Sequence, residues 1–436
     1  MIVELMFVLF VFLFCLIQNK TSIACLFIWL FPMHIALKQL FVVMGGGSYF
    51  VLWYDIVIFC FLVKALRSSR TKIPFKYGII GYLVVAFFCF LLSFFASPRD
   101  PESLTTFRTY LHCMALFIGF SSMSFNLKSL RKIYSHILYS TLFNGVIALI
   151  IYFNYQMEWH IFLNHVDLTP NGVVYSSPSF LIMGIERLFG LLGGPNQFGA
   201  YMSVMILFLL IYKSYSTSSD ILFRITLLIS IACLILSFAR AGWAVLVVSL
   251  CLKSILSGDV KKVLMFAMVL IACLLVSVVV LYVFSPDLFN VVVSTFNGEE
   301  SSVAGRQDNV MNGIWEIVST PWGHGLGAAI SEKGAPVAES SMVVMLYELG
   351  VGGTLYYISF VSYIVWKLKR NKSVLSEHFV SFAITSFIVS LISLTIISYP
   401  NIYYLRMLLG LSLNPMFRIM GLLRDRSKVA LIRSLS

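Results

Sequence analysis

Three arginines and one glutamate stand where their chemistry would be unusual. Arg240 lies in Leu236-Ser237-Phe238-Ala239-Arg240-Ala241-Gly242-Trp243, where two apolar runs meet with almost no loop between them. A guanidinium held in so short a turn stays near membrane depth, where its charge demands an anionic partner. That partner is either a ligand or an acid from a neighbouring loop. Arg306, in Ala304-Gly305-Arg306-Gln307-Asp308, opens a helix-like stretch to Val318. Arg187, in Glu186-Arg187-Leu188-Phe189-Gly190, precedes Gly193-Gly194-Pro195-Asn196-Gln197, a turn entering another apolar run, and Asn196 of that turn joins the candidate binding set. Guanidinium groups grip phosphate with bidentate hydrogen bonds, so three from separate segments suit a phosphate or pyrophosphate. The competing role for Arg187 is a local pair with Glu186 or a loop acid.

Glu339, in Pro336-Val337-Ala338-Glu339-Ser340-Ser341, opens an apolar run and is the candidate for proton chemistry. A carboxylate in a first helical turn can serve simply as a cap. Its position at the membrane edge, facing the Arg306 segment, also suits deprotonation of a sugar hydroxyl. Glu348, nine residues on, lies inside an apolar helix and is expected to bond within the bundle. Gly323, Gly325 and Gly327 form a GxGxG run without the strand, the third spaced glycine or the downstream acid of a dinucleotide fold, so a turn is expected there. His324 within it is either a polar turn residue or a proton carrier, and it too joins the binding set. The seven histidines show no HxxxH or HExxH spacing, and the eight cysteines sit in apolar segments without a CxxC, so neither a metal site nor a disulfide framework is encoded.

The elements that must position these residues follow from composition. Of 436 residues, 59% are hydrophobic and 11% charged, against about 25% charged in a soluble domain. Thirteen apolar runs, at 2–17, 22–43, 49–65, 76–96, 106–122, 133–153, 198–212, 221–237, 241–256, 263–284, 340–366, 378–398 and 402–420, approach the length a helix needs to cross a bilayer. Alternating barrel strands are absent from the pattern, so the expected fold is all-α: a polytopic membrane helical bundle of 12–13 spans forming one integral membrane domain over 1–436.

The net charge of +12 is a topology signal more than a sign of nucleic-acid binding. Twenty-two of the 31 Lys and Arg residues fall in six segments, 64–76, 128–132, 213–224, 253–262, 367–372 and 418–436, between alternate runs. By the positive-inside rule these face the cytoplasm. Two long loops, 154–197 and 285–339, are then periplasmic, and their Gly, Pro, Trp and apolar content suggests folded loops. If all thirteen runs cross, the N-terminus is outside; the short first run and Pro32 in the second instead favour twelve crossings with one of the two re-entrant or interfacial. The 2–17 run lacks a basic flank and a cleavage site and reads as a retained helix.

Taken together, Arg187 to Gly199 (RLFGLLGGPNQFG), Ser237 to Trp243 (SFARAGW), Gly305 to Gly327 (GRQDNVMNGIWEIVSTPWGHGLG) and Glu339 to Gly353 (ESSMVVMLYELGVGG) resemble the membrane superfamily of O-antigen polymerases and O-antigen ligases. The resemblance covers the central and C-terminal two thirds of the chain. It implies a metal-independent, cofactor-free inverting glycosyltransferase of the type called GT-C, multi-pass in the bacterial inner membrane with its site facing the periplasm. Implied partners are an undecaprenyl-pyrophosphate-linked oligosaccharide, the lipid bilayer and a chain-length regulator. By motif match Arg240 and Arg306 correspond to arginines that hold the lipid pyrophosphate. The ligase branch has a catalytic histidine eleven residues before the glycine of its ELG motif, where this chain has Glu339. That departure favours a polymerase, which moves the growing glycan onto the non-reducing end of an incoming lipid-linked repeat. Two alternatives stay open: a ligase acting on lipid A-core or another acceptor, and a polysaccharide transporter or flippase. Transporters tend to show internal repeats and intramembrane polar residues, whereas the polar signal here concentrates in the two long loops.

Overall fold

The computed structural model describes residues 2–46, 49–68, 101–122, 126–154, 166–169, 172–175, 181–182, 185–192, 194–213, 219–239, 315, 318–328 and 341–370, with single helical residues at 80–81, 84–85, 87–89, 91, 162, 242–243, 246–247 and 250. Helix dominates these residues, which lets the apolar runs satisfy their backbone groups internally. The helices are α1 Ile2–Ile17, α2 Lys20–Leu30, α3 His34–Val43, α4 Leu52–Ser68, α5 Pro101–Ser122, α6 Leu127–Phe153, α7 Pro195–Tyr212, α8 Asp220–Leu236 and α9 Ser341–Arg370. Asn19, Asn126 and Ser219 cap α2, α6 and α8 by accepting a backbone N–H three residues on. The run 22–43 divides near Pro32 into α2 and α3, whose axes differ by 71°. Runs 263–284, 378–398 and 402–420 lie outside the described residues.

Helix directions follow from which residues meet. Glu4 at the start of α1 accepts the N–H of Tyr49, just ahead of α4, at 2.7 Å, while Lys64 near the end of α4 donates to Leu16 O at 3.1 Å. The two helices therefore run parallel with level ends, and the bent pair α2–α3 carries the chain back along the whole length of α1. In α4 and α5, Asp55 meets Arg108 and Phe61 meets Phe120, so these are parallel as well. Helix α7 runs antiparallel to α6, with Tyr134 against Phe208 and Gly145 near Met202. Gly199 at the start of α7 lies against Ser237 after α8, so α7 and α8 are antiparallel too.

These directions give the bundle two unlike ends. One gathers the starts of α1, α4, α5 and α7 with the ends of α6 and α8. The other holds Lys64, Arg67, Lys128, Arg131, Lys132, Lys213 and Arg224, the described members of three of the basic segments. Small residues let helices close on one another, as in membrane bundles: a Cβ on Gly145 would sit 2.7 Å from Ile229, and one on Gly242 would sit 2.9 Å from Gly199 O. Some buried hydroxyls bond within their own helix, with Thr141 donating to Ile137 O at 2.7 Å and Ser230 to Thr226 O at 2.7 Å. Others tie helices together, with Ser140 of α6 donating to Ile28 O of α2 at 3.0 Å and Tyr134 of α6 to Leu209 O of α7 at 3.1 Å.

Much of the outside is apolar. Tyr139, Phe143, Val146, Ile150 and Phe153 form an exposed stripe along α6, and Ile221, Ile225, Leu228 and Ile235 another along α8. By length and composition, residues 128–153 of α6 qualify as a membrane-crossing helix, and the bent pair α2–α3 qualifies as a second, broken one, among the described residues.

Within the segment 154–197, two antiparallel ribbons appear where the apolar residues suggested folded chain. Strand β1 Val166–Thr169 pairs with β2 Gly172–Tyr175, and β3 Leu181–Ile182 pairs with β4 Ile185–Glu186. The second ribbon delivers the chain directly to Arg187.

Candidate functional site

The chain after β4 must turn to enter α7, and its residues are suited to that task. Gly190 adopts φ +58, and a Cβ there would collide with Phe198. Gly194 is the residue ahead of α7, and Pro195 occupies its first turn, where a missing N–H costs nothing. Leu188 N–H donates to Leu236 O at 3.0 Å, which ties this segment to the end of α8.

Arg187 is 4% exposed and points at that junction. Its Nε donates to Ser237 O at 2.9 Å, and one terminal nitrogen donates to Asn196 Oδ1 at 2.7 Å and to Phe238 O at 3.2 Å. Two residues of the expected binding set, Arg187 and Asn196, are thus brought together, and the Arg187 guanidinium also holds the backbone of the SFARAGW turn. Phe238 has φ +48, the left-handed region that a bulky side chain seldom adopts. Such a conformation costs about 1–3 kcal/mol and persists only where its surroundings impose it. Ser237 Oγ donates to Leu234 O at 2.8 Å and accepts Ala239 N–H at 3.3 Å. Trp243 N–H donates to Ala239 O at 3.2 Å, starting the next helical turn. Arg240 lies outside the described residues, one position beyond this turn in the chain.

The second assembly joins the GxGxG run to the ELG sequence. Gly323, Gly325 and Gly327 have φ of +87, +95 and +84, which accounts for the glycines as turn residues. Helix α9 breaks at Gly350, with φ +68 and ψ −177. The backbone groups freed by the break are bonded by the turn: His324 N–H donates to Tyr347 O at 2.7 Å, Gly325 N–H to Glu348 O at 3.1 Å, and Val351 N–H to Pro321 O at 2.9 Å. Glu348, 1% exposed, accepts Gly327 N–H on Oε1 at 3.0 Å, so it bonds within the protein as its apolar surroundings require. His324 stacks on Tyr347 with ring centroids 4.0 Å apart, and its Nδ1 is buried with no hydrogen bond among the described residues. Leu326 and Leu349 pack with Cys89, Val85 and Phe107. Phe107 belongs to the first turns of α5, so this assembly sits at the same end of the bundle as Arg187.

Arg306 and Glu339 lie outside the described residues. A polar cluster that motif reasoning did not single out does fall within them. Asp55 is gripped by Arg108, through Nε at 2.7 Å and a second bond from the terminal nitrogen, and by His112 Nε2 at 2.8 Å, while the Arg108 guanidinium lies 4.7 Å from the Tyr54 ring centre. The available signal was that Arg108, like Arg187, is one of the nine basic residues outside the six basic segments. Next to the Phe107 contact, this cluster adds a second set of charges to the same end. Compared with protein-family models and with curated proteins, the chain matches none, and the functional reading rests on these two turn assemblies.

Proposed function

We propose that the chain is an integral membrane O-antigen polymerase, extending undecaprenyl-pyrophosphate-linked glycan at the periplasmic face of the bacterial inner membrane. The observation that carries this reading is that the described parts of all four motif segments lie at one end of the bundle, joined in pairs. Segment 187–199 meets the turn at 237–239, and the turn at 320–327 meets the break at Gly350. That end is the one opposite the basic residues, so the positive-inside rule assigns it to the periplasm. The exposed apolar stripes on α6 and α8, and the exposed face of α1, exceed what a soluble monomer shows to water and suit lipid. Trp322, 85% exposed on the 320–327 turn, suits the headgroup level, where tryptophan is enriched.

In this reaction Glu339 takes the proton of the acceptor sugar hydroxyl as its oxygen attacks the anomeric carbon of the donor. The bond to the pyrophosphate breaks, and Arg240 and Arg306 take up the charge on the leaving group. Fixed positive groups that meet developing charge usually contribute the largest share of such catalysis. One displacement inverts the anomeric centre.

Gene deletion scored by the surface-polysaccharide ladder tests the proposal. The expected result is core capped with a single repeat. Free lipid-linked polymer would indicate a ligase instead, and cytoplasmic retention of lipid-linked repeats a flippase. Topology has a separate test, because α1 parallel to α4 favours thirteen crossings over twelve. An Ile2→Cys variant should react with a membrane-impermeant maleimide from the periplasmic side, and protection until the inner membrane is breached would remove the thirteen-span arrangement.

A further inference from the structure

We infer that Arg187 is a positioning residue, which with Asn196 fixes the backbone turn at 237–239, immediately ahead of Arg240 in the chain. The inference rests on the reading of Arg240 as a holder of lipid pyrophosphate. Three observations support it. The guanidinium is buried and spends two of its nitrogens on Ser237 O, Phe238 O and Asn196 Oδ1. The carbonyls it holds flank the left-handed Phe238, the only non-glycine residue with positive φ among the described residues. The turn is also seated closely, since a Cβ on Gly199 would fall 2.6 Å from Ser237 Oγ.

A strained backbone conformation next to a charged residue is a reason to look for function. Here the fork of Arg187 reaches consecutive carbonyls and selects one turn geometry, and Asn196 at the start of α7 orients the fork. A lysine has a single ammonium and cannot reproduce this planar, multi-bond contact. Displacing a substrate-holding group by about 1 Å costs roughly 10²-fold in rate.

The test is rescue at Phe238. In membranes or detergent, Arg187→Lys, Phe238→Gly, the double variant and Asn196→Ala are compared by thermal unfolding and by polymerisation rate against lipid-linked repeat concentration. Arg187→Lys should lower kcat/KM by about 10²-fold, with a smaller loss for Asn196→Ala. Glycine adopts positive φ freely, so Phe238→Gly should return most of that loss in the Arg187→Lys background, and with it the melting temperature. If Arg187→Lys fails to fold alone, recovery of folded protein in the double variant is the same result. Should Phe238→Gly restore neither rate nor melting temperature, the positioning role is overturned and direct contact of Arg187 with substrate takes its place. Restored melting temperature in variants whose polymerisation never changed would leave the clamp standing and overturn the role given to Arg240.

Discussion

Replacing Gly350 with alanine should cost about 3 kcal/mol or more and abolish activity, whereas the same change at Gly352 should be neutral or slightly stabilising. Gly350 combines positive φ with ψ near 180°, a region essentially reserved for glycine. Its missing side chain is also a space filled by backbone, since a Cβ would meet Trp322 and fall 2.6 Å from Pro321 O. Neither neighbour is a flexible side chain that can move aside. The only relief is withdrawal of the turn, which breaks the bonds from His324 and Gly325 to Tyr347 O and Glu348 O and from Val351 to Pro321 O. Each leaves a backbone group unpaired in an apolar setting, among the few mechanisms that yield large destabilisation. At Gly352 a Cβ would meet nothing within 4 Å, and alanine there gains about 0.5–1 kcal/mol of helix propensity. Thermal unfolding of the two purified variants side by side checks the contrast. Equal melting temperatures would remove the turn–helix junction as a structural requirement.

Glu339→Gln should eliminate polymer while leaving core capped with a single repeat. Under the proposed mechanism the amide can no longer accept the hydroxyl proton, and loss of a positioned general base costs about 10²–10⁴-fold. The substitution keeps shape and hydrogen-bonding capacity, so a glutamate that only caps α9 would leave chain length nearly unchanged. Long chains on the polysaccharide ladder of the Glu339→Gln strain would therefore reassign the residue to capping and remove it from the reaction. Single-repeat core with normal amounts of folded Glu339→Gln protein is the expected outcome.

The helical character of the chain was legible because it depends on local composition. Apolar runs with few charges must satisfy their backbone internally, and seven of the expected runs correspond closely to described helices: 2–17, 49–65, 106–122, 133–153, 198–212, 221–237 and 340–366. Pro32 likewise announced the break between α2 and α3, since proline removes a donor and clashes with the preceding turn. The glycines at 323, 325 and 327 could be read as a turn, because their spacing fits no phosphate loop. What could not be read locally was who the partners are. Glu348 was expected to bond somewhere in the bundle, but its partner, Gly327 N–H, is 21 residues away.

Arg187 carries the clearest lesson. In the sequence it is one of the arginines outside the basic segments, and charge alone suggests an anion. Its direction is decided by a contact 50 residues distant, where the carbonyls of Ser237 and Phe238 present a closer target. The break at Gly350 is similar, because the sequence offers glycine at 350, 352 and 353 without distinguishing them. Only packing separates them: the 321–327 turn fills the space beside Gly350 with backbone, a Cβ on Gly353 would fall 2.6 Å from Leu349 Cβ, and one on Gly352 would meet nothing within 4 Å. Residue types and periodicity by themselves determined that this protein is a helical chain with a sided distribution of charge, because hydrophobicity and backbone satisfaction act over one or two helical turns. Tertiary structure decided which motif segments meet, that Arg187 is buried against the 237–238 carbonyls and where the backbone is strained, because those outcomes depend on packing between residues that the chain order keeps apart.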